Sequence, residues 1–190
     1  MYYHASDVAG IKVLKLAISN HGKPLVYLSE KRENVLVYLS NAVEKYCKEN
    51  GFIHNGKWHK WASYGFDSDG IMRIDEYYPN ALEDTYKGVS GYIYRADVVV
   101  RAEADINIRD AVATAEDVCV LDAEYIEDAY AEIIKSAEAG LIRLRRYEDL
   151  SDKMYEWIKS TVIQEYNKAE NEPDYRFFLK AKFDFLDACL

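Results

Sequence analysis

Four side chains with chemical reach stand out in this 190-residue chain. His4 sits in MYYHAS, between two tyrosines and the small Ala5-Ser6 pair. Tyr27 lies near the end of the apolar run PLVYLS, Tyr38 follows it by eleven positions, and Glu116 stands at the head of the run EDVCVLDAEYI. An imidazole titrates near neutral pH and can donate to or accept from a sugar hydroxyl. Two phenol rings can sandwich a flat heteroaromatic ring, which contributes about 0.5–1.5 kcal/mol beyond burial and leaves their hydroxyls for hydrogen bonds. A carboxylate beside a sugar that develops positive charge stabilises it, and fixed electrostatics of this kind are commonly the largest catalytic contribution. Taken singly, each residue has a plainer reading: a strand-end histidine, ordinary tyrosines in a chain with 17 of them, and a glutamate in front of a strand.

Positioning these groups requires a strand at the start of the chain and a strand-to-helix turn after Tyr27. Tyr2 to His4 reads as the first strand, and an irregular piece with Gly10 and IKVLKLAI leads to the turn NHGKP. Leu25 to Leu28 reads as the second strand, with Ser29 placed to cap the helix that follows. Val35, Leu36, Leu39, Ala42, Val43, Tyr46 and Cys47 recur at three- and four-residue steps, which predicts one amphipathic helix, stopped at KENG, with Tyr38 partly inward. KWHKWASYGF and IMRIDEYY around DSDG predict a hairpin. ALEDTYKG reads as a short helix, and GYIYRADVVV and EDVCVLDAEYI as strands. A helix over about 126–139 ends at Gly140 in the C′ position. From Tyr147 onward the pattern is helical, with ENEP separating two amphipathic stretches. The expected fold class is α+β, with a body over 1–146 and a C-terminal helical appendage over 147–190 packed on it.

Composition narrows the function. A net charge of -9 works against nonspecific attraction to phosphate backbones. Arg143, Arg145 and Arg146 in LIRLRR could hold a phosphate, but pairing with the nearby Glu148 and Asp149 is the expectation. No run approaches the ~18 apolar residues of a membrane span, and the chain opens with neither a charged leader nor an apolar signal core, so a cytoplasmic protein with no membrane partner is expected. Cys47, Cys119 and Cys189 are odd in number, far apart and set in apolar contexts, which predicts reduced, buried thiols. DSDG lacks the other acidic positions and the terminal Glu of a calcium loop. His54 and His59 have no third ligand at a supporting spacing, so no metal site is expected.

In order and spacing, YHAS, VYLS, the Tyr27 to Tyr38 interval and AEDVCVLDAEYI resemble the ADP-ribosyltransferases of the diphtheria-toxin and poly(ADP-ribose) polymerase type. In that family a first strand carries a histidine, a later strand ends in a tyrosine, a second tyrosine sits eleven residues on, and a glutamate begins a late strand. The resemblance covers about residues 1–135 and implies split antiparallel sheets with flanking helices. It implies NAD as substrate, with His4 on the ribose, Tyr27 and Tyr38 clamping nicotinamide, and Glu116 stabilising the cationic sugar. The backbone of Ala5 and the neighbouring Ser6 would meet the carboxamide. Ala5 stands where the family usually has glycine, which requires a negative φ, and Val35 stands where the polymerase branch often has a carboxamide-contacting serine. Transfer of a single ADP-ribose to a protein or nucleic-acid acceptor is the implied activity, and polymer formation has no motif in its favour. The alternative is a non-catalytic interaction module whose C-terminal helices, with Trp157, Phe177, Phe178, Phe183 and Phe185, bind a partner or a second copy as a homodimer.

Overall fold

The protein is described here by a computed structural model covering residues 1–18, 23–54, 59, 61, 63–97 and 108–189, without the side chains of 188 and 189. In chain order the elements are β1 (Tyr2–Ser6), β2 (Val13–Leu14), β3 (Ala17–Ile18), β4 (Pro24–Ser29), a 3-10 helix η1 (Glu33–Tyr38), α1 (Ala42–Glu49), β5 (Ser63–Phe66), β6 (Met72–Asp75) and α2 (Ala81–Tyr86). They continue with β7 (Gly91–Ala96), β8 (Ala111–Thr114), β9 (Val118–Cys119), β10 (Asp122–Ile126), α3 (Ala129–Glu138), β11 (Ile142–Arg145), a 3-10 turn η2 (Tyr147–Asp149), α4 (Asp152–Lys168), α5 (Pro173–Lys182) and α6 (Leu186–Cys189). The fold is α+β with antiparallel pairing in its sheets. Among the described residues no helix is long and apolar enough to cross a membrane.

The chain divides into two compact units, one of residues Met1–Leu39, Phe66–Met72 and Lys87–Ile142, the other of Ser40–Gly65, Arg73–Tyr86 and Arg143–Leu190. In the second unit Phe178, Leu179 and Phe183 of the C-terminal helices bury in one cluster with Ala42, Val43, Cys47, Trp61 and Tyr78. An apolar helix face must be covered, and here α5 and α1 cover each other.

The first unit is built on a sheet of order β10-β7-β1-β4-β3, with β8 also paired to β4. Aromatic and β-branched residues at alternate positions suit these strands, because neighbouring side chains leave opposite faces. On one face Tyr2, Val26, Leu28 and Ala96 pack with Leu14 and Val118 of the β2–β9 pair. The other face carries Ala5 and Ile93, both buried. Arg32, just before η1, lies on this second side, where it holds Glu124 of β10 at 2.7–2.8 Å. Leu39, just after η1, approaches the same side so closely that a Cβ on Gly91 would stand 2.6 Å from its Cδ2. A larger residue there would force Leu39 to shift.

Several local expectations change. The helix foreseen as continuous to Cys47 is two helices, because Asn41 accepts from the amides of Val43 and Glu44 and starts α1 anew. A short polar side chain satisfies the orphan amides of a new first turn as well as continued helix would. Ser29 does not cap a helix; its hydroxyl accepts from Lys31 N at 3.1 Å in a local turn. EDVCVLDAEYI breaks into β9 and β10, and Ile126 closes β10 while α3 begins after Asp128, whose carboxylate accepts from Ala131 N. The DSDG hairpin forms as expected, with Gly70 at a φ of +83°. LIRLRR includes β11, and its arginines pair across the β11–β6 sheet, Arg145 with Asp75 at 2.9 Å and Arg146 with Glu76 at 3.3 Å, instead of with Glu148 and Asp149. Cys47 is buried as expected, whereas Cys119 is exposed. The turn NHGKP and the VVV of GYIYRADVVV fall largely outside the described residues.

Because Asn41 is buried, caps α1 twice and donates to the His59 carbonyl at 3.2 Å, Asn41→Ala is expected to lower stability by about 1–2 kcal/mol, read from urea denaturation of the two proteins.

Candidate functional site

β1 lies inside the sheet, so its main chain needs partners on both sides. Toward β7 it has five rungs, from Tyr2–Ala96 to Ser6–Tyr92. Toward β4 the register is one rung, Tyr3 opposite Ser29. A side chain continues where that ladder stops: Nδ1 of His4 lies 2.8 Å from the Tyr27 carbonyl oxygen. A carbonyl only accepts, so the ring donates from Nδ1, and in the neutral ring Nε2 is an acceptor. Burial pushes the His4 pKa below its ordinary value, while the bond to Tyr27 opposes that shift in part. The site's histidine is therefore neutral around pH 7, with one lone pair to offer.

Directly opposed residues share a sheet face, so His4 lies with Tyr94, and Ser6 lies with Tyr92 and Tyr125. The Tyr92 and Tyr94 rings are 6.1 Å apart at 30°, and Tyr125 is 5.3 Å from Tyr92. Tyr94 is buried; its hydroxyl donates to Val8 O at 2.6 Å and accepts from Ile11 N at 3.3 Å, which pins the loop after β1 over this strip. Tyr92 is half-buried and Tyr125 is exposed. These three tyrosines were not singled out from sequence, although the two-residue period of GYIYR and the AEYI run carries the signal.

The other expected residues are placed as follows. Ala5 is buried in β1 and does not have a positive φ, so the absence of glycine costs nothing there. Ser6 accepts from Val8 N at 3.1 Å and closes the strand. Tyr27 meets His4 through its carbonyl. Strand alternation turns its ring to the face opposite Leu28, and so away from the face that His4 occupies. Tyr38 ends η1 and is 45% exposed. Glu116 is exposed in the turn after β8, where its amide donates to Thr114 Oγ1 at 3.1 Å. Thr114 stands opposite Val26, one residue along β4 from Tyr27, and Glu116 is two residues further on. The structure thus joins His4 to the main chain of Tyr27, with Ala5 and Ser6 alongside on β1, while Tyr38 ends η1 and Glu116 lies in the turn after β8.

Three further polar side chains of this unit have defined surroundings. Asp110 precedes β8 with a φ of +58°; its carbonyl accepts from Glu30 N at 2.8 Å, and its carboxylate is 3.1 Å from Lys31 Nζ. Glu124 is gripped by Arg32, whose bidentate hydrogen bonds hold its pKa below the ordinary range, and Arg32 also pairs with Glu132 at 2.9 Å. Asn34, in η1, is buried, and neither its Oδ1 nor its Nδ2 has a hydrogen-bond partner among the described residues. Such a group costs about 1–3 kcal/mol unless something satisfies it. No family model, curated protein or solved structure matches the chain.

In nitrogen-detected NMR, His4 is expected to show the Nδ1–H tautomer and a titration midpoint below 6.5. The unfolded ring binds its proton at a higher pH than the folded one. The contribution of His4 to stability is therefore full above that value and falls as the pH drops below it. His4→Gln should flatten this acid limb in a melting-temperature series against pH. Asn34→Leu, which replaces the unsatisfied amide by an apolar group of the same branching, should raise stability by about 1 kcal/mol in the same denaturation assay.

Proposed function

We propose that the first unit binds the nicotinamide-ribose end of NAD at β1, as an ADP-ribosyltransferase-like protein, and that one ADP-ribose is then transferred to an acceptor with release of nicotinamide. The observation that carries this reading is the 2.8 Å contact between His4 Nδ1 and Tyr27 O. It couples the histidine strand to the tyrosine strand, as the resemblance requires, and fixes Nε2 as an acceptor for a ribose hydroxyl. Tyr92 and Tyr125 share the face of His4 and Ser6 and supply the stacking surface that the resemblance assigns to Tyr27 and Tyr38. Ala5 and Ser6 contribute main-chain groups to the carboxamide.

In the transfer step the bond from C1′ of the ribose to the pyridinium nitrogen breaks, with its electron pair going to the ring. A bond from C1′ to the acceptor forms, and the acceptor loses its proton. A carboxylate next to the sugar lowers the barrier by offsetting the charge on C1′. The resemblance gives that role to Glu116, and the geometry favours the binding half of the proposal over this assignment. The interaction-module reading draws on Trp157 and Phe177, 48% and 37% exposed on α4 and α5. Phe178 and Phe183 are already committed to their own unit's core.

A thermal-shift titration decides between the readings. NAD or nicotinamide should raise the melting temperature, since a ligand at a hundred times its Kd adds ~2.7 kcal/mol, and His4→Ala and Tyr92→Ala should abolish the shift. Silence with both ligands, together with a mass that grows with protein concentration, would leave only the interaction module. Glu116→Gln should keep the NAD shift; unchanged nicotinamide release in that variant would remove Glu116 from the mechanism.

A further inference from the structure

The second unit contains a cluster that the NAD reading does not use. Cys47, in the last turn of α1, is fully buried. The side chains of His54 and Asp174 are 1% and 10% exposed, and Asp174 occupies the second position of α5. One ligand atom from each of the three residues lies within 4.8 Å of the other two. His54 Nδ1 is 2.9 Å from Asp174 Oδ2, and the Cys47 thiol donates to the Asp174 carbonyl at 3.4 Å. His59, itself buried, stacks on Tyr175 with ring centroids 3.6 Å apart, and its ring is 6.3 Å from that of His54.

A sulfur, a nitrogen and an oxygen donor converge here from three separate segments. Calcium and magnesium take oxygen ligands, so a thiol and an imidazole argue against them. Zinc accepts all three donor types, typically in tetrahedral sites with bonds of about 2.0–2.3 Å, which set ligand atoms roughly 3.3–3.7 Å apart. From separations within 4.8 Å, movements of under about 1 Å reach that spacing, and the packing of α1 on α5 holds the ends of the cluster together. Without a cation, burial and the Asp174 charge push the Cys47 thiol up to about 11, so it keeps its proton. A divalent ion reverses that balance by binding the thiolate directly.

We infer that Cys47, His54 and Asp174 form a zinc site, with His59 or a water as the fourth ligand. A polar knot closed by the His54–Asp174 hydrogen bond alone would bind no metal.

The test uses the full chain, stripped with chelator and reloaded with zinc or cobalt. Expected results are one zinc per chain after dialysis, by metal analysis, and a cobalt form with the near-ultraviolet charge-transfer band of a thiolate ligand. Cys47→Ser should abolish that band while the exposed Cys119→Ser leaves it in place. His54→Gln and Asp174→Asn should each weaken zinc binding by more than about tenfold, against a circular-dichroism check that the variants are folded. Should Cys47→Ser fail to fold, the wild-type spectrum and the Cys119→Ser control decide. Failure of the wild-type chain to retain zinc, or a cobalt spectrum lacking the thiolate band, or a band that Cys119→Ser removes, overturns the assignment.

Discussion

A strand in the interior of a sheet has main-chain groups on two sides to satisfy, and β1 meets that demand unequally. Five rungs bind it to β7, one rung binds it to β4, and the imidazole of His4 then reaches the Tyr27 carbonyl. Much of the first unit's chemistry descends from this substitution of a side chain for a rung. The ring must be the Nδ1–H tautomer, burial keeps it neutral, and its remaining nitrogen is left as an acceptor. Tyr94, opposite His4, fixes the loop above it with two hydrogen bonds, so the histidine is held from the strand, from the neighbouring strand and from above.

Legibility from sequence followed how local each determinant is. The strands at Tyr2 and Leu25, the DSDG hairpin and the helices after Ser151 were readable because their apolar period and turn residues lie within about ten positions. The supposed continuous helix failed at Asn41. Val35 to Cys47 keeps helical spacing across the break, so periodicity alone cannot see that one polar side chain restarts the helix. The two pieces even belong to different units, since the division falls between Leu39 and Ser40. The C-terminal helices were legible as helices, but what Phe178 packs on, Tyr46 and Tyr78, lies about 100 residues or more away in sequence, beyond the reach of any local pattern.

The candidate site shows the same limit at finer scale. The strand that carries His4, Ala5 and Ser6 was legible, whereas the contact of His4 with the Tyr27 carbonyl was not, because it depends on how β1 and β4 pair. Tyr38 depended on the helix being continuous, and as η1 ends the residue faces solvent. Glu116 depended on EDVCVLDAEYI being one strand; with the break at Val120 and Leu121, it belongs to a turn at the far end of β8. Tyr92 and Tyr125 were hidden because register, not spacing, places them on the face of His4.

Buried polar groups in the two units are treated differently, and the difference bears on what each can bind. In the first, His4 is matched to a neutral carbonyl, so the donor is spent, the acceptor remains, and charge is disfavoured. That combination suits a neutral polar ligand such as a sugar hydroxyl. In the second, His54 is matched to a carboxylate beside a thiol. Asp75 and Glu76, also buried, are matched instead to Arg73, Arg145 and Arg146. A divalent cation supplies for Cys47, His54 and Asp174 what arginines supply for Asp75 and Glu76.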